Sequence, residues 1–174
     1  MKKIFIILGI LIVVVVGGLY GFRMYTKSFS PAAEAKFDKN DLKVDITYCR
    51  PSKKGRDVFG GLVPYGKVWR TGANEATEIT FNKDVKFGGK EVKKGTYTLF
   101  TIPEKDKWTV ILNTVLGQWG AFSYNQAKDA LRVEVPASEA SSETEMFTIT
   151  LNEAEKGASL DMVWDKTKVS VTIE

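Results

Sequence analysis

The chain has 174 residues, which fits one folded domain, with 25 basic and 21 acidic side chains. Four of the basic residues lie in residues 1–27, which contain no acidic residue, so the remainder is net neutral. A neutral domain lacks the basic face that nucleic-acid binding requires. Histidine is absent and Cys49 is the single cysteine. These counts exclude histidine-dependent nucleophiles, intrachain disulfides and multi-cysteine metal sites, and we predict neither a metal nor a cofactor.

An unbroken apolar stretch occupies residues 4–22, with Lys2 and Lys3 before it and Arg23 and Lys27 after it. A helix of this length spans roughly 28 Å, close to the thickness of the hydrocarbon core of a bilayer. Aromatic side chains that favour the membrane interface cluster at its end: Tyr20, Phe22 and Tyr25. The pattern predicts a transmembrane signal anchor within residues 1–27.

A cleaved signal peptide is the alternative interpretation of this stretch. Signal peptides have a shorter apolar region, about 7–15 residues, that ends at small residues. The A-x-A pattern at Ala33–Ala35 lies well downstream of the stretch. The positive charge is similar on the two flanks and hardly decides the orientation. Because Met1–Lys3 is too short to form a domain, we expect residues 28–174 outside the cytoplasmic membrane.

Residues 28–42 are polar, with small side chains and one proline, and predict a tether between membrane and domain. From Lys43 the hydrophobic period becomes two, which is typical of strands. The alternation predicts about nine short strands, at 44–48, 78–81, a hairpin over 85–92, and 96–102, 108–112, 131–135, 147–151, 160–164 and 169–173. Pro136 is expected to end one strand, and residues 125–130 to form one turn of helix. We therefore predict a single all-β domain over residues 43–174, an antiparallel sandwich or barrel.

Two segments do not fit the strand pattern. Residues 48–77 combine glycines and prolines with arginines, and residues 116–125 place three aromatic side chains among glycines. Long irregular loops commonly hold ligands, but they also pack aromatics against the end of a sandwich and pair each arginine with a neighbouring carboxylate. Both interpretations stay open for these two segments.

The polar and aromatic residues of these segments form the candidate ligand-binding surface: Arg50, Trp69, Arg70, Asn74, Glu75 and Trp119. The two arginines would hold an anion or a carboxylate, and the two tryptophans would stack on an apolar face. Asn74 and Glu75 would supply directional hydrogen bonds. A second hypothesis makes a basic cluster a site for phosphate or lipid headgroups: Arg50, Lys53, Lys54 and Arg56.

Several longer strings resemble one protein family. They are RPSKKGR at 50–56, FGGLVPYGKVWRTGANEAT at 59–77, GTYTLFTIP at 95–103, WTVILN at 108–113, LGQWGAF at 116–122 and WDKT at 164–167. They are similar to the bacterial domain-of-unknown-function family numbered 2911, over about residues 43–174. The resemblance implies an exported envelope protein of Gram-negative bacteria of the Bacteroidota type, and hence a periplasmic domain. It implies no activity and no catalytic residue. Cys49 stands where the resemblance leads us to expect a small polar residue such as Ser, which argues against a central thiol.

Three functions remain open from the sequence. The first is a binding or interaction module for a small ligand, a glycan or an envelope partner. The second is a glycan-directed hydrolase, for which Glu75 and Glu78 are candidate carboxylates, although sequence spacing does not place them face to face. The third is a structural subunit of an envelope assembly.

Overall fold

The computed structural model describes residues 2–174, with side chains from residue 4 onward. An N-terminal helix, α1, covers Lys2–Phe29. Its Ile4–Phe29 part is long and apolar enough to cross a membrane, a property that signal sequences share, and its apolar window is 0% buried against the rest of the protein. The expected apolar helix is confirmed, and length and composition alone fit both an anchor and a signal sequence.

Nine strands follow within the described residues, all paired antiparallel. They are β1 Ala32–Lys39, β2 Leu42–Cys49, β3 Thr77–Phe81, β4 Val85–Phe87, β5 Lys90–Val92, β6 Gly95–Pro103, β7 Lys107–Asn113, β8 Asp129–Glu153 and β9 Ala158–Ile173. Their order is β1-β2-β3-β6-β7-β8-β9-β4-β5, and the sheet is not closed because β1 and β5 are its edges. The predicted all-β, sandwich-like fold is confirmed, as is the helical turn, which spans Gln126–Lys128.

The long strand β8 belongs to both layers of the sandwich. Up to Pro136 it pairs with β7, and from Ala137 it pairs with β9. The expectation that Pro136 ends a strand is therefore wrong. Proline lacks a donor for the ladder, but it is tolerated here because β8 changes partner at this residue. For the same reason the two predicted strands on either side of Pro136 form one element, and β9 likewise unites two predicted strands.

The predicted tether is wrong over β1. This strand pairs with β2 along its whole length, from Ala32↔Cys49 to Lys39↔Leu42, and buries Ala35 and Phe37. The strand is hard to recognise in the sequence because its inward positions are mostly alanine, which gives only a weak hydrophobic alternation between charged residues. The β domain therefore begins close to the end of α1, and residues 30 and 31 are all that separates the two elements.

The core lies between the two layers and includes a cluster of five aromatic side chains, Phe59, Trp69, Trp108, Phe147 and Trp164, with ring centroids 4.9–6.1 Å apart. Trp69 and Trp164 stack at 5.9 Å with an interplanar angle of 19°. A smaller cluster lies around Phe100, Ile111 and Ala76. Because Trp69 and Ala76 belong to these clusters, the last part of the loop between β2 and β3 is fixed at two points on the body of the domain.

Candidate functional site

The loop that carries Arg70 starts from a rigid point. Trp69 is 7% exposed, and its indole N–H donates to the carbonyl oxygen of Gly72 at 3.0 Å. Its backbone exchanges two hydrogen bonds with Thr101 of β6, at 2.7 and 2.9 Å. The backbone that leads into Arg70 is therefore held by both side-chain packing and strand-like pairing.

After Arg70, two non-glycine residues of this loop lie in the left-handed region, Thr71 at φ 54° and Asn74 at φ 58°. This conformation is unusual for a β-branched residue and costs about 1–3 kcal/mol. Thr71 is fully buried, and its hydroxyl donates to the hydroxyl of Thr101 at 3.2 Å. Its carbonyl oxygen accepts a hydrogen bond from the Thr77 hydroxyl at 2.6 Å. These contacts hold a conformation that the chain would not adopt by itself.

A cavity of about 450 Å³ lies beside this loop, and we call it the arginine cavity. Three parts of the chain form its wall: the end of α1, the segment from Pro51 to Asn74, and β9. The described lining residues are Thr26, Phe29, Ser30, Pro51, Ser52, Lys54, Arg56, Leu62, Val63, Trp69, Arg70, Gly72, Ala73, Asn74 and Trp164. None of these residues is acidic, whereas three are basic, so the cavity is electropositive.

Arg70 is the distinctive charged group of the arginine cavity. Its Nε is buried and has no hydrogen-bond partner among residues 4–174. Within the same residues, no carboxylate lies within 4.0 Å of its guanidinium. Burial lowers the pKa of Arg70, which is the effect expected when a charged group loses water without gaining a counter-ion. The cavity therefore contains an arginine whose charge lacks a partner in the described chain.

The other two cations of the cavity are held differently. Arg56 donates from Nε to the carbonyl oxygen of Lys53 at 2.9 Å and from Nη2 to that of Ser52 at 2.7 Å. The Lys54 ammonium lies 5.1 Å from the ring centroid of Phe29 at the end of α1. Both side chains are fixed without a neutralising carboxylate, so they add to the positive potential around Arg70.

Asn74 connects the cavity to the neighbouring elements. Its side-chain amide donates to the carbonyl oxygen of Ser30 at 3.4 Å, and its backbone carbonyl accepts from Gly120 N–H at 2.9 Å. Burial raises the pKa of the Cys49 thiol, although a hydrogen bond with Asn74 opposes the change. The thiol donates to the Glu75 carboxylate at 3.7 Å. Cys49 is thus a buried, protonated thiol, as expected for a residue with a packing role.

Glu75 lies next to Asn74 in sequence but lines a second cavity, of about 280 Å³, together with Lys27 and Glu78. Its Oε1 lies 3.1 Å from the Lys27 Nζ of α1. Burial raises the pKa of Glu75, but a backbone hydrogen bond and Lys27 outweigh this effect, and the net pKa lies below the ordinary value. Glu78 accepts a hydrogen bond from Gly117 N–H at 2.8 Å. Each carboxylate of the proposed hydrolase pair is therefore engaged in a separate structural contact.

Arg50 and Trp119 line neither cavity. Arg50 donates to the Phe147 carbonyl at 3.2 Å and to the Thr148 hydroxyl at 2.7 Å, which fastens the end of β2 to β8. Trp119 packs against α1, with its ring 6.5 Å from that of Phe22. Of the six predicted residues, the structure brings Trp69, Arg70 and Asn74 together in the arginine cavity and places the other three elsewhere.

The basic cluster proposed from the sequence is also divided. Lys54 and Arg56 line the arginine cavity, whereas Arg50 is bound to β8. Lys53 is paired with Glu143 at 2.7 Å and with Asp165 at 2.6 Å, and these contacts raise its pKa. The cluster does not form one anion site, although half of it contributes to the arginine cavity.

Comparison with known proteins identifies the family of this chain. Residues 30–173 match the family described as "Protein of unknown function (DUF2911)". The chain belongs to this family. The matched range includes β1, in agreement with its place in the sheet. No curated protein and no solved structure matches the chain.

Sequence reasoning on this DUF2911 member missed several residues of the cavity wall. Thr26 and Phe29 come from the end of α1, Ser30 directly follows it, and Trp164 comes from β9. Trp164 occupies an inward position of a regular strand, so its pattern indicates the core and carries no signal for a cavity. Phe29 and Ser30 reach the cavity only because β1 directs the chain back to the domain, and the predicted tether conceals that turn.

Proposed function

We propose that the protein is a membrane-anchored binding module of the cell envelope, which holds the anionic group of a small ligand or glycan in the arginine cavity. The observation that carries this proposal is the buried Arg70 Nε–H, which has no partner in the described chain and lies in a cavity without acidic residues. A protein partner in the cell envelope that inserts an acidic side chain into the cavity would pair with Arg70 in the same way.

The energetics favour an anionic ligand at Arg70. Arg70 is half-buried, and partial burial of a charge without a partner costs free energy because the lost hydration is not replaced. An anion would restore the missing interaction, and hydrogen bonds between a guanidinium and a carboxylate or phosphate are among the strongest in proteins. The strained backbone at Thr71 and Asn74 holds Arg70 in place before the ligand arrives, which reduces the entropy lost on binding.

The rest of the cavity suits the remaining part of such a ligand. Phe29, which is 48% exposed, gives the wall an accessible aromatic side chain, and Asn74 adds an amide. Aromatic faces bind the apolar face of a sugar ring, while an amide fixes its orientation. The combination favours a molecule with one anionic group and a sugar or other ring, such as an acidic glycan fragment or a phosphorylated sugar.

We also propose that α1 remains attached and that the domain lies in the periplasm. The support comes from the cavity wall, because Thr26 and Phe29 of α1 contribute to it and Lys54 lies over the Phe29 ring. Cleavage beyond Phe29, for example after the A-x-A pattern at Ala33–Ala35, would remove these two side chains. The mass of the mature protein from membranes tests retention of α1. An alkaline phosphatase fused to its C-terminus, which is active only after export, tests the orientation.

The binding proposal is tested with the full chain in lipid nanodiscs. A thermal-shift screen compares inorganic phosphate, phosphorylated sugars, acidic glycans and peptidoglycan fragments. A ligand present at about 100 times its dissociation constant stabilises by about 2.7 kcal/mol, which gives a measurable shift. We expect the shift from an anionic ligand to be lost in Arg70→Met and kept in Lys105→Met, which removes an exposed cation from the β6–β7 turn. A shift that survives Arg70→Met, or no shift with any anion, would contradict the proposal.

A further inference from the structure

A segment from Val115 to Phe122, which we call the aromatic loop, exposes several apolar side chains. Phe122 is 90% exposed, Leu116 47% and Val115 37%. Trp119 in the middle of the loop is only partly buried. A group of exposed apolar residues on one loop is a common mark of a membrane or protein contact.

The aromatic loop is held in one conformation by its backbone. Gly117 N–H donates to the Glu78 carboxylate at 2.8 Å, and Gly120 N–H donates to the Asn74 carbonyl at 2.9 Å. Gln118 is buried and donates to the Val115 carbonyl at 3.0 Å. The exposed side chains are therefore presented by a fixed loop, and their exposure does not come from a loose segment.

The aromatic loop touches α1 where its apolar stretch ends. The Trp119 ring lies 6.5 Å from the Phe22 ring, and the Arg23 guanidinium lies 5.6 Å from the Trp119 ring. In a membrane-spanning helix, the last apolar residue and the first basic residue mark the boundary between hydrocarbon and headgroups. The contact with both residues places Trp119 at that boundary, where tryptophan is favoured.

We infer that the aromatic loop inserts its apolar side chains into the lipid bilayer beside the anchor. The partner is the lipid surface itself, because the loop is continuous with the point where α1 would leave the membrane. This inference rests on the proposal that α1 remains as an anchor, and it does not depend on a ligand in the arginine cavity. With two membrane contacts, the domain lies on the bilayer in a fixed orientation, and the cavity wall formed by Thr26 and Phe29 lies close to the headgroups.

The test uses the full chain in nanodiscs of phosphatidylethanolamine and phosphatidylglycerol, in a Cys49→Ser background that removes the native thiol. A nitroxide is attached at Phe122→Cys and, as the matched control, at Lys105→Cys. Both sites are exposed, but Lys105 lies in the turn before β7 and the aromatic loop follows the other end of that strand. Collision rates with oxygen, which concentrates in lipid, and with a water-soluble nickel chelate report the surroundings of each label.

We expect the label at position 122 to collide more often with oxygen and less often with the nickel chelate than the label at position 105. Equal nickel collision rates at the two positions would overturn it and would leave a protein partner as the occupant of the loop. The unlabelled protein gives a second measurement, since brominated lipids should quench part of its tryptophan emission and Trp119→Phe should abolish that part. The three other tryptophans are buried in the core. Emission that brominated lipids leave unchanged would also overturn the inference.

Separate measurements test the two underlying proposals, the retained anchor and the ligand in the arginine cavity. Alkaline carbonate extraction of wild-type membranes reports whether α1 anchors the chain, whatever the loop does. The thermal shift with anions reports the arginine cavity, and the Phe122→Cys label lies outside its lining. An anchored, ligand-binding protein whose position 122 is exposed to water would disprove this inference alone.

Discussion

Arg50 and Arg70 show how two arginines in one irregular segment take different roles. Arg50 donates to the Phe147 carbonyl and the Thr148 hydroxyl, whereas the Arg70 Nε donates to no residue of the described chain. Hydrogen bonds of a charged group stabilise the fold, whereas burial of a charge without a partner opposes it. The first arginine is a structural clamp, and the second is available for a ligand.

This contrast predicts that replacement by methionine changes the free energy of unfolding differently at the two arginines. Arg50→Met should lower the free energy of unfolding by about 1–3 kcal/mol, because it leaves two acceptors on β8 unpaired. Arg70→Met should leave the free energy unchanged or raise it by about 1 kcal/mol, since an unpaired charge is removed. Urea unfolding of both variants without ligand measures the difference. A loss in Arg70→Met as large as that in Arg50→Met would show that Arg70 is structural.

Asp161 gives a prediction for acid stability. It is 8% exposed and accepts hydrogen bonds from Asn152, Ser159 and Lys168 at 2.8–3.1 Å. Burial raises the pKa of Asp161, but Lys168 and the neighbouring serines outweigh burial and bring the pKa below its ordinary value of 3.8. A lowered pKa stabilises the fold above the unfolded value, and this stabilisation is lost as pH falls through the folded pKa.

Asp161→Asn should therefore destabilise the protein at neutral pH and reduce its further loss of stability in acid. Urea midpoints at about pH 7 and about pH 3 measure the change, and the difference between the two midpoints should be smaller in the variant than in the wild type. An unchanged difference would mean that the carboxylate does not contribute to the acid response.

At the residue scale, the sequence indicated part of the site. Trp69, Arg70 and Asn74 were identifiable because they are polar or aromatic residues in one glycine-containing segment that lacks a strand pattern. Glu75 was grouped with them by proximity, but the left-handed backbone at Asn74 turns the chain, and Glu75 lines the other cavity. A φ value above zero at a non-glycine residue has no clear signature in a single sequence.

At the scale of elements, substitutions in β1 test whether this segment is a strand of the folded domain or a flexible tether. Phe37 is 7% exposed in the core, whereas its neighbour Lys36 points to solvent. Phe37→Ala should lower the free energy of unfolding by about 3 kcal/mol through the lost burial and the cavity that remains. Lys36→Ala, the matched control, should change it by less than about 0.5 kcal/mol. If chemical denaturation showed equally small changes in the free energy of unfolding for both variants, the segment would be a tether and not a strand.

The turn between β8 and β9 provides a second prediction at this scale. Gly157 has φ 76°, and a Cβ at this position would overlap the carbonyl oxygen of Ile173 at the end of β9. Gly89, with φ 80° in the β4–β5 turn, has open space where its Cβ would lie. Gly89→Ala should cost about 1–2 kcal/mol from backbone strain alone. Gly157→Ala should cost more than about 3 kcal/mol in thermal unfolding because backbone must also shift. Similar losses in the two variants would exclude the clash.

Elements with clear alternation were predictable, and those that depend on partners were not. β2, β3, β6 and β7 alternate or are rich in β-branched and aromatic residues, which is a direct consequence of half-buried strands. The continuation of β8 through Pro136 depends on its exchange of β7 for β9, which is a property of the assembled sandwich. The sequence shows the proline but not the change of partner that makes it harmless.

For the whole molecule, the important arrangement is the meeting of α1 with one end of the sandwich. Lys27 pairs with Glu75, Phe22 and Arg23 contact Trp119, and Phe29 lies beneath Lys54. The apolar stretch predicted an anchor and the alternating hydrophobic pattern predicted an all-β domain, as two separate parts. That they share a cavity wall follows from the short connection before β1, which leaves no free tether between them.

The central claim is that Arg70 awaits an anion in the arginine cavity. The most direct measurement is the ¹⁵Nε–¹Hε NMR signal of Arg70, assigned by its absence in Arg70→Met, for the full chain in nanodiscs during titration with an anion that raises the melting temperature. The account predicts that this signal moves on binding and that its hydrogen exchange slows, since the buried N–H gains the acceptor it lacks. A ligand that stabilises the protein while the Arg70 signal and its exchange rate stay unchanged would contradict the account.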